Sequence, residues 1–262
     1  MLHIVSFSSG LSSALTAVRV MERYGKGATR LVFMDTLFED DDNYRFMAEF
    51  EKRFDVQIIR ITAGRDPYQV SRAQHVIPNN SLAPCTFRLK IEPFRAYLAG
   101  LSKPVTVHIG YDWSEVHRCE PTRKNYEGFG YGVDFPLLWP PVEWRPYERV
   151  SREEWGIEPP RMYALGYTHA NCGGRCVKQG QGDWIRTFIN FPERYRAIEE
   201  WEHDMRKNPT NANYAICKRE TNGVRRPLTL QQLREEYEAG QTGSLFDLDA
   251  ASTCVVCGIG GQ

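Results

Sequence analysis

The sequence has no excess of charge of either sign, since its 262 residues include 33 Lys plus Arg and 33 Asp plus Glu. Proteins that bind nucleic acid through their overall charge are usually strongly basic, so bulk electrostatics do not predict such a partner. A local basic patch is still compatible with this composition. The 42% of apolar residues and 25% of charged residues are ordinary for a globular protein and argue against a disordered chain.

Long apolar runs are also missing, because none approaches the roughly 20 residues that a membrane-spanning helix needs. The first residues, MLHIVSFSSG, have no basic stretch before the apolar run and reach a polar turn after Phe7. They are therefore not expected to be a secretion signal. These absences predict a cytoplasmic protein that does not associate with a membrane.

Cysteine, in contrast, is present at seven positions: 85, 119, 172, 176, 217, 254 and 257. The number is odd, and several of these residues are clustered. In a reducing compartment, clustered cysteines indicate metal or redox chemistry rather than structural disulfides.

Strand-like and helix-like segments alternate through the first sixty residues. Short apolar runs that read as buried strands occupy residues 2–7, 30–36 and 56–62, and segments with helical apolar spacing separate them. The first helix is expected to end at Gly25. This β-α-β-α-β order, followed by a fourth strand over 103–112, predicts an α/β fold with a doubly wound, mostly parallel sheet of five or six strands.

The rest of the chain is less regular. Residues 65–84 are polar and punctuated by proline, which predicts a loop or lid, and 85–101 read as a helix that is interrupted or ended near Pro93. SREE after position 150 matches a capping box and predicts a short helix with Ser151 as its N-cap. Two further helices are expected over 183–207 and 228–238.

We therefore expect two units. Residues 1–180 are predicted to form a nucleotide-binding α/β domain. Residues 181–262 are predicted to form a helical, cysteine-bearing C-terminal extension that packs on this domain.

A run of small residues follows the first predicted strand and opens the first predicted helix: Ser6, Ser8, Ser9, Gly10, Ser12 and Ser13. Unpaired N–H groups and the positive end of the helix dipole favour an anion at such a place, and pyrophosphate is the natural guest. The run has neither the Gly-Lys-Ser/Thr of a Walker loop nor the GxGxxG of a dinucleotide site. An ordinary serine-rich turn that caps the helix is the alternative.

Charged residues follow the second and fourth predicted strands. Asp35 could hold Mg²⁺ or a ribose hydroxyl, because ligands bind at the carboxyl ends of parallel strands, or it could simply cap a helix. Beyond Gly110, the segment to Arg118 contains Asp112, Glu115 and His117. We expect Arg118 to contact a phosphate or sulfate of the substrate.

The clustered cysteines form two pairs, Cys172 with Cys176 and Cys254 with Cys257. Together they could complete a four-sulfur site for Zn²⁺ or a [4Fe–4S] cluster, and two unrelated pairs are the alternative. Cys85 stands apart. It could replace one of the four ligands, or it could be a reactive thiol next to Arg88 and Lys90.

Five segments resemble, in order, motifs of the PP-loop ATP pyrophosphatases, in the branch that includes phosphoadenosine-phosphosulfate (PAPS) reductase and belongs to the adenine nucleotide alpha-hydrolase superfamily. They are SFSSGLSSA, FMDTLFEDDDNYRFM, PCTFRLKIEPFRAYL, IGYDWSEVHR and NCGGRCVK, and they span most of residues 2–190. The loop departs from the usual S-G-G-x-[DTS]-S, because Ser9 replaces a glycine and Ser12 stands where many members have Asp. The Glu-Cys-Gly-Leu-His tail of the reductases is absent.

The resemblance implies an enzyme that binds ATP or a PAPS-like adenylate with Mg²⁺. The adenylate would lie on the serine-rich loop, with Asp35 and Gly110 in the binding site. Asp35, Lys90, Arg118 and Cys85 would act in catalysis. Members commonly dimerise, so a homodimer is implied as well.

Three functions are compatible with these expectations. An ATP pyrophosphatase would activate an acceptor for sulfur incorporation into nucleic acid, by DNA phosphorothioation or RNA thiolation, with a nucleic acid or a sulfur-donor protein as partner. A thiol-dependent reductase would act on an adenylyl sulfate. A nucleotide-binding partner or sensor without turnover is the third, and the altered loop motivates it.

Overall fold

The computed structural model describes residues 1–140 and 146–242, except for the side chain of Thr221. Its centre is a five-stranded parallel sheet in the order β3-β2-β1-β4-β5. The strands are β1 (Leu2–Phe7), β2 (Thr29–Asp35), β3 (Ile58–Thr62), β4 (Val105–His108) and β5 (Gly132–Asp134). The predicted doubly wound α/β fold is confirmed, and all five strands are parallel.

Helices cover both faces of this sheet. On one face lie α1 (Leu11–Tyr24) and α2 (Asp41–Phe54), whose Ala14, Ala17 and Phe50 are buried against β1 and β2. On the other face lie α4 (Glu92–Ala99) and α5 (Cys119–Glu127), which contribute residues such as Phe94 and Tyr126. Each helix presents one apolar stripe to the sheet, as helical spacing of apolar residues requires.

Residues 65–84 are not only a loop. They contain α3 (Pro67–Ala73), which begins with Asp66 as N-cap and Gln69 completing a capping box. The turn signals of Pro67 and the surrounding polar residues predicted a loop, but proline in the first turn of a helix is favourable because its missing N–H needs no partner.

The predicted cap at Ser151 is also wrong. The helix begins earlier, with α6 (Tyr147–Arg149), and continues as a π-helical turn, Val150–Trp155. Ser151 is buried within it and donates a 2.7 Å hydrogen bond to the carbonyl of Ile157. Inside a helix the backbone N–H groups already have intrahelical partners. The side chains of the SREE segment therefore do not cap a helix end here.

The remaining short helical segments connect these elements. A π-helical turn, Thr86–Ile91, leads directly into α4, so the predicted helix continues past Pro93. The others are α7 (Arg161–Ala164) and five 3₁₀ turns: Lys26–Ala28, Trp113–Arg118, Pro136–Leu138, Asn171–Gly174 and Pro209–Asn211.

The helix expected over 183–207 is two helices, α8 (Gln181–Asn190) and α9 (Pro192–Arg206), which divide just before Pro192. The helix expected over 228–238 is α10 (Leu230–Glu238). The C-terminal part also contains an unpredicted antiparallel hairpin of β6 (Cys217–Thr221) and β7 (Val224–Leu228). Trp184 and Leu233 pack in one core with Tyr68 of α3. No helix in residues 1–140 or 146–242 is long and apolar enough to cross a membrane.

Candidate functional site

A cleft opens at the carboxyl ends of β1, β2 and β4, beside the first turn of α1, and has an empty volume of about 860 Å³ that includes open solvent. Ligands of open parallel sheets bind at this edge, where the chain connections diverge to opposite faces. Seven of the residues selected from the sequence line it: Ser6, Ser8, Gly10, Ser12, Ser13, Lys90 and Gly110.

Ser13 closes the serine-rich loop. Its hydroxyl accepts hydrogen bonds from the backbone nitrogen of Ser8, at 3.0 Å, and from the Ser8 hydroxyl, and it donates to the carbonyl of Gly10 at 2.8 Å. Ser6 lies in β1 rather than in the loop, and Ser12 and Ser13 lie in the first turn of α1. The loop is therefore a tight bend between strand and helix.

Ser9 occupies a left-handed backbone conformation, with φ of 59°. This conformation favours glycine, which the resembled motif has at this position. Ser9 is fully buried, and its hydroxyl donates to the carbonyl of Ser8 and accepts from Nδ2 of Asn43. Its side chain thus anchors the loop to α2 and does not line the cleft.

The amino end of α1 faces Tyr163 of α7. The backbone nitrogen of Leu11 donates to the Tyr163 hydroxyl at 3.2 Å, and Gly10 precedes it without a side chain that could cap the helix. Burial raises the pKa of Tyr163 to about 12, so its hydroxyl stays neutral. The helix end therefore presents N–H groups to the cleft next to a neutral hydroxyl, an arrangement that favours an anion.

Gly110 allows β4 and α1 to approach closely. A Cβ at this position would lie 2.7 Å from Oγ1 of Thr16 and 3.1 Å from the carbonyl oxygen of Ser12. A side chain would displace the first turns of α1, so the shape of the cleft depends on this glycine.

Lys90 supplies a cation to the wall of the cleft, and the buried Glu39 is within its electrostatic reach. Burial raises the pKa of Glu39, whereas the charge of Lys90 and hydrogen bonds from Cys172 and Thr36 oppose that shift. Lys90 also lines a second, adjacent pocket. The same residue therefore lines both pockets.

Another wall of the cleft is formed after β4. Glu115 pairs with Arg118, whose guanidinium lies 4.2 Å from the centre of the Tyr111 ring. Burial raises the pKa of Glu115 and lowers the pKa of His169, and the Arg118 charge lowers the pKa of His169 further. His169 is thus held neutral near pH 7, so it can donate or accept a hydrogen bond in the cleft.

Asp35 ends β2 as predicted, but it lies outside the cleft lining in the described part of the chain. Its Oδ1 accepts 2.8 Å hydrogen bonds from the backbone nitrogen of Leu37 and from the hydroxyl of Tyr44. Arg118 also lies behind the lining, where it contacts Glu115.

The second pocket has an empty volume of about 330 Å³ including its open side, and three cysteines line it: Cys85, Cys172 and Cys176. Burial raises the pKa of Tyr68 well above its usual value, and negative charge on these three cysteines raises it further. Lys90 and Arg175 line the same pocket. Cys254 and Cys257 lie outside the described residues.

A left-handed turn positions Cys172 and Cys176. Cys172, Gly173 and Gly174 have φ of 56°, 55° and 76°. Three consecutive left-handed residues are possible here because two of them are glycines, which adopt this conformation without steric cost. The carbonyl of Gly174 accepts from Gln179 and Thr187, and the carbonyl of Gly173 accepts from Arg194. The turn is therefore fixed by residues on both sides of it.

The sequence reasoning missed several residues that build the site. Tyr163, His169 and Asn171 line the cleft, and Glu39 and Asn43 connect the loop to the cysteine turn. For Glu39, the acidic segment after β2 was a sequence feature that could have indicated a site residue. No such feature marked the other four. The others lie in irregular segments whose position depends on the whole fold.

No family model matches the chain, and no curated protein matches it. Among solved structures, the chain is structurally similar to phosphoadenylyl-sulfate (PAPS) reductase from Candida auris, determined as a phosphate complex. The TM-score is 0.42 and the sequence identity 18%, over 63% of this chain and 78% of that chain.

Proposed function

We propose that the protein is an ATP pyrophosphatase of the PAPS reductase-like family, which splits ATP into AMP and pyrophosphate to activate an acceptor. The observation that carries the proposal is the cleft in which the amino end of α1, the serine-rich loop and Lys90 face the same space. Polyphosphate is the ligand that such a combination of N–H groups, hydroxyls and a cation suits.

The loop and the helix end would bind the β- and γ-phosphates, and Lys90 would offset negative charge near the α-phosphate. An oxygen of the acceptor would attack the α-phosphorus, and pyrophosphate would leave. A sulfur or nitrogen nucleophile would then displace AMP. Such catalysis depends on positioning and charge stabilisation more than on covalent chemistry by the protein.

Asp35 offers the carboxylate oxygen that Mg²⁺ prefers, at the end of β2 and next to the cleft residue Met34. Magnesium bound there would neutralise phosphate charge. Arg118 and His169 would orient the acceptor from the opposite wall. We propose sulfur incorporation into nucleic acid, as DNA phosphorothioation or RNA thiolation, because three thiols lie in the pocket that shares Lys90 with the cleft.

The test is release of pyrophosphate and AMP from ATP and Mg²⁺ in the presence of DNA or RNA oligonucleotides. Lys90→Ala should weaken ATP binding at least about tenfold, equivalent to ~1.4 kcal/mol, because a cation beside the phosphates is lost. Lys52→Ala is the matched control, since Lys52 is exposed on α2. ATP binding that Lys90→Ala leaves unchanged would contradict the proposed site.

A second candidate is a thiol-dependent reductase of an adenylyl sulfate, and the thiols near the cleft favour it. Sulfite release from adenylyl sulfate with a thiol reductant, lost in Cys85→Ser, would identify this reaction. Tight ATP binding with neither pyrophosphate nor sulfite released would instead identify a nucleotide-binding partner or sensor.

A further inference from the structure

His169 brings an imidazole ring to the wall of the cleft. It lies between α7 and the 3₁₀ turn Asn171–Gly174, and it lines the same space as Lys90. Within residues 1–140 and 146–242, neither ring nitrogen of His169 makes a hydrogen bond. A half-buried polar group without such a partner is uncommon and calls for a functional explanation. The ring is therefore available to a ligand of the cleft.

One side chain fixes the position of His169 relative to the serine-rich loop. Nδ2 of Asn43 donates to the carbonyl of Ala170 at 2.9 Å and to the hydroxyl of Ser9 at 3.1 Å. Asn43 is fully buried on α2. The residue next to His169 and the loop thus share one anchor. Such shared support is what holds a reacting group in a fixed relation to a bound substrate.

The surroundings of His169 keep the imidazole in its basic form. Burial lowers the pKa of His169, and the Arg118 charge lowers it further, whereas the charge of Asp112 opposes the shift. Glu115 and Lys90 are the charged residues among the described lining of the same cleft. A neutral imidazole has a lone pair on one ring nitrogen, so it can take up a proton at neutral pH.

The charges of the cleft disfavour a negatively charged acceptor. Among the described residues that line it, Lys90 is the one cation and Glu115 the one carboxylate. The guanidinium of Arg118, behind the lining, is already paired with Glu115. ATP brings several negative charges of its own, so a phosphodiester next to it would lack a free cation. Like charges held close together in a partly buried site are costly, and a neutral acceptor avoids that cost.

We propose that His169 is the general base of the reaction and that the acceptor is a neutral group, a hydroxyl or an –NH–C(=O)– unit, which loses a proton as its oxygen attacks. This inference rests on the proposed ATP chemistry and narrows its acceptor. The acceptor oxygen forms a bond to the α-phosphorus, and the bond from that phosphorus to pyrophosphate breaks, with the electron pair leaving on pyrophosphate. The proton of the acceptor passes to His169, which releases it to solvent. A phosphodiester has no such proton.

Three oligonucleotides with blocked ends separate the acceptor classes. An oligodeoxyadenylate offers phosphodiesters only, an oligoriboadenylate adds 2′-hydroxyls, and an oligodeoxyadenylate with one uracil adds an –NH–C(=O)– unit. Pyrophosphate release from ATP and Mg²⁺ by the full chain is measured with each of them. We expect release with the second or the third and none with the first. Equal release with all three would overturn the inference and leave the ATP chemistry intact.

Substitution of His169 tests the base itself. His169→Gln should lower kcat about 100-fold and change the KM for ATP by less than about twofold, because a general base acts in the transition state and does not hold ATP. The wild-type rate should fall as the pH drops through the pKa of His169, and this decrease should be absent in His169→Gln. His117→Gln is the matched control, since His117 is exposed after the same strand, and its rate should equal that of wild type.

Two measurements keep the test independent of a misfolded variant. Imidazole added to His169→Ala should restore part of the rate, which a purely structural residue would not allow. In the wild-type chain without nucleotide, the NMR signal that is missing from His169→Gln should titrate below the ordinary histidine pKa of about 6.5.

A titration of His169 at or above about 6.5, or full kcat in His169→Gln, would overturn the assignment of the base. Both results leave pyrophosphate release by the wild-type chain in place, so they separate this inference from the proposed function. ATP binding without pyrophosphate release from any of the three oligonucleotides would contradict the proposed function and the inference together.

Discussion

The backbone nitrogen of Cys172 donates a 2.7 Å hydrogen bond to Oε2 of Glu39, a buried carboxylate that follows β2. Its Oε1 accepts from the hydroxyl of Thr36 at 3.1 Å, and Nδ2 of Asn43 on α2 donates to Oε2. Asn43 in turn donates to the hydroxyl of Ser9. One carboxylate thus connects the cysteine turn to the helix that anchors the serine-rich loop.

Replacement of Glu39 should show what this connection contributes. Glu39→Leu leaves the backbone N–H of Cys172 and the hydroxyl of Thr36 without this acceptor, so we expect a loss of about 3 kcal/mol in the free energy of unfolding. Glu39→Gln keeps an acceptor for Cys172 and should lose under about 1.5 kcal/mol. Urea unfolding measures both. Equal losses in the two variants would show that the hydrogen bonds contribute little.

Asp40 is fully buried between Arg161 and Arg194, at 2.7 Å from each. Burial alone would raise the pKa of Asp40, but hydrogen bonds from both guanidinium groups outweigh it and lower the pKa. Asp40→Asn can still cap α2, yet it leaves two cations without their partner. We expect a loss of roughly 3 kcal/mol in unfolding free energy.

The matched control for Asp40→Asn is Asp41→Asn, because Asp41 is exposed in the first turn of the same helix. It should cost about 1 kcal/mol or less, which is the usual size of a helix-dipole contribution. If both variants unfold at the same urea concentration, the two ion pairs of Asp40 are not what stabilises this region.

Gly110→Ala should damage the cleft and the fold together. The added Cβ would collide with Thr16 and with the carbonyl of Ser12, so α1 must shift, at a cost of about 2 kcal/mol. ATP affinity should fall as well, because the shift displaces the helix end. Gly27→Ala is the control, since no atom lies within 4 Å of its Cβ position. It should stay within about 0.5 kcal/mol of wild type.

A pair of buried histidines predicts sensitivity to acid. Nδ1 of His3 lies 2.9 Å from Nε2 of His108, and Tyr24 stacks on His3. Burial, with help from the His3 charge, lowers the pKa of His108 to about 4. A lowered pKa in the folded state means that stability is present above the unfolded pKa of about 6.5 and is lost as the pH falls towards 4.

Between pH 7 and pH 5, His108 alone should reduce the free energy of unfolding by about 2 kcal/mol. His108→Gln should remove that part of the pH dependence, whereas His203→Gln should not, because His203 is exposed on α9. Urea unfolding at several pH values measures the slope. An unchanged slope in His108→Gln would assign the acid sensitivity to other groups.

The alternation of strands and helices and the serine-rich loop could be predicted because they are local. Apolar spacing depends on neighbours within one element, and a loop between strand and helix is recognised by its small residues. The hairpin of β6 and β7 was missed for the opposite reason. Its strands are short and polar, so only the buried packing of Cys217 and Leu228 against α9 and α10 selects the strand conformation.

The sequence alone determined the parallel α/β sheet, the edge at which the cleft opens and most residues of the serine-rich loop, because periodicity and strand order specify these without distant contacts. The tertiary structure decided that Cys85 lies with Cys172 and Cys176, that Lys90 lines two pockets, and that Tyr163 and His169 reach the cleft. These relations join residues that are far apart in the sequence, such as Leu11 and Tyr163, which are 152 positions apart. They arise from packing between elements, which no local pattern in a single sequence records.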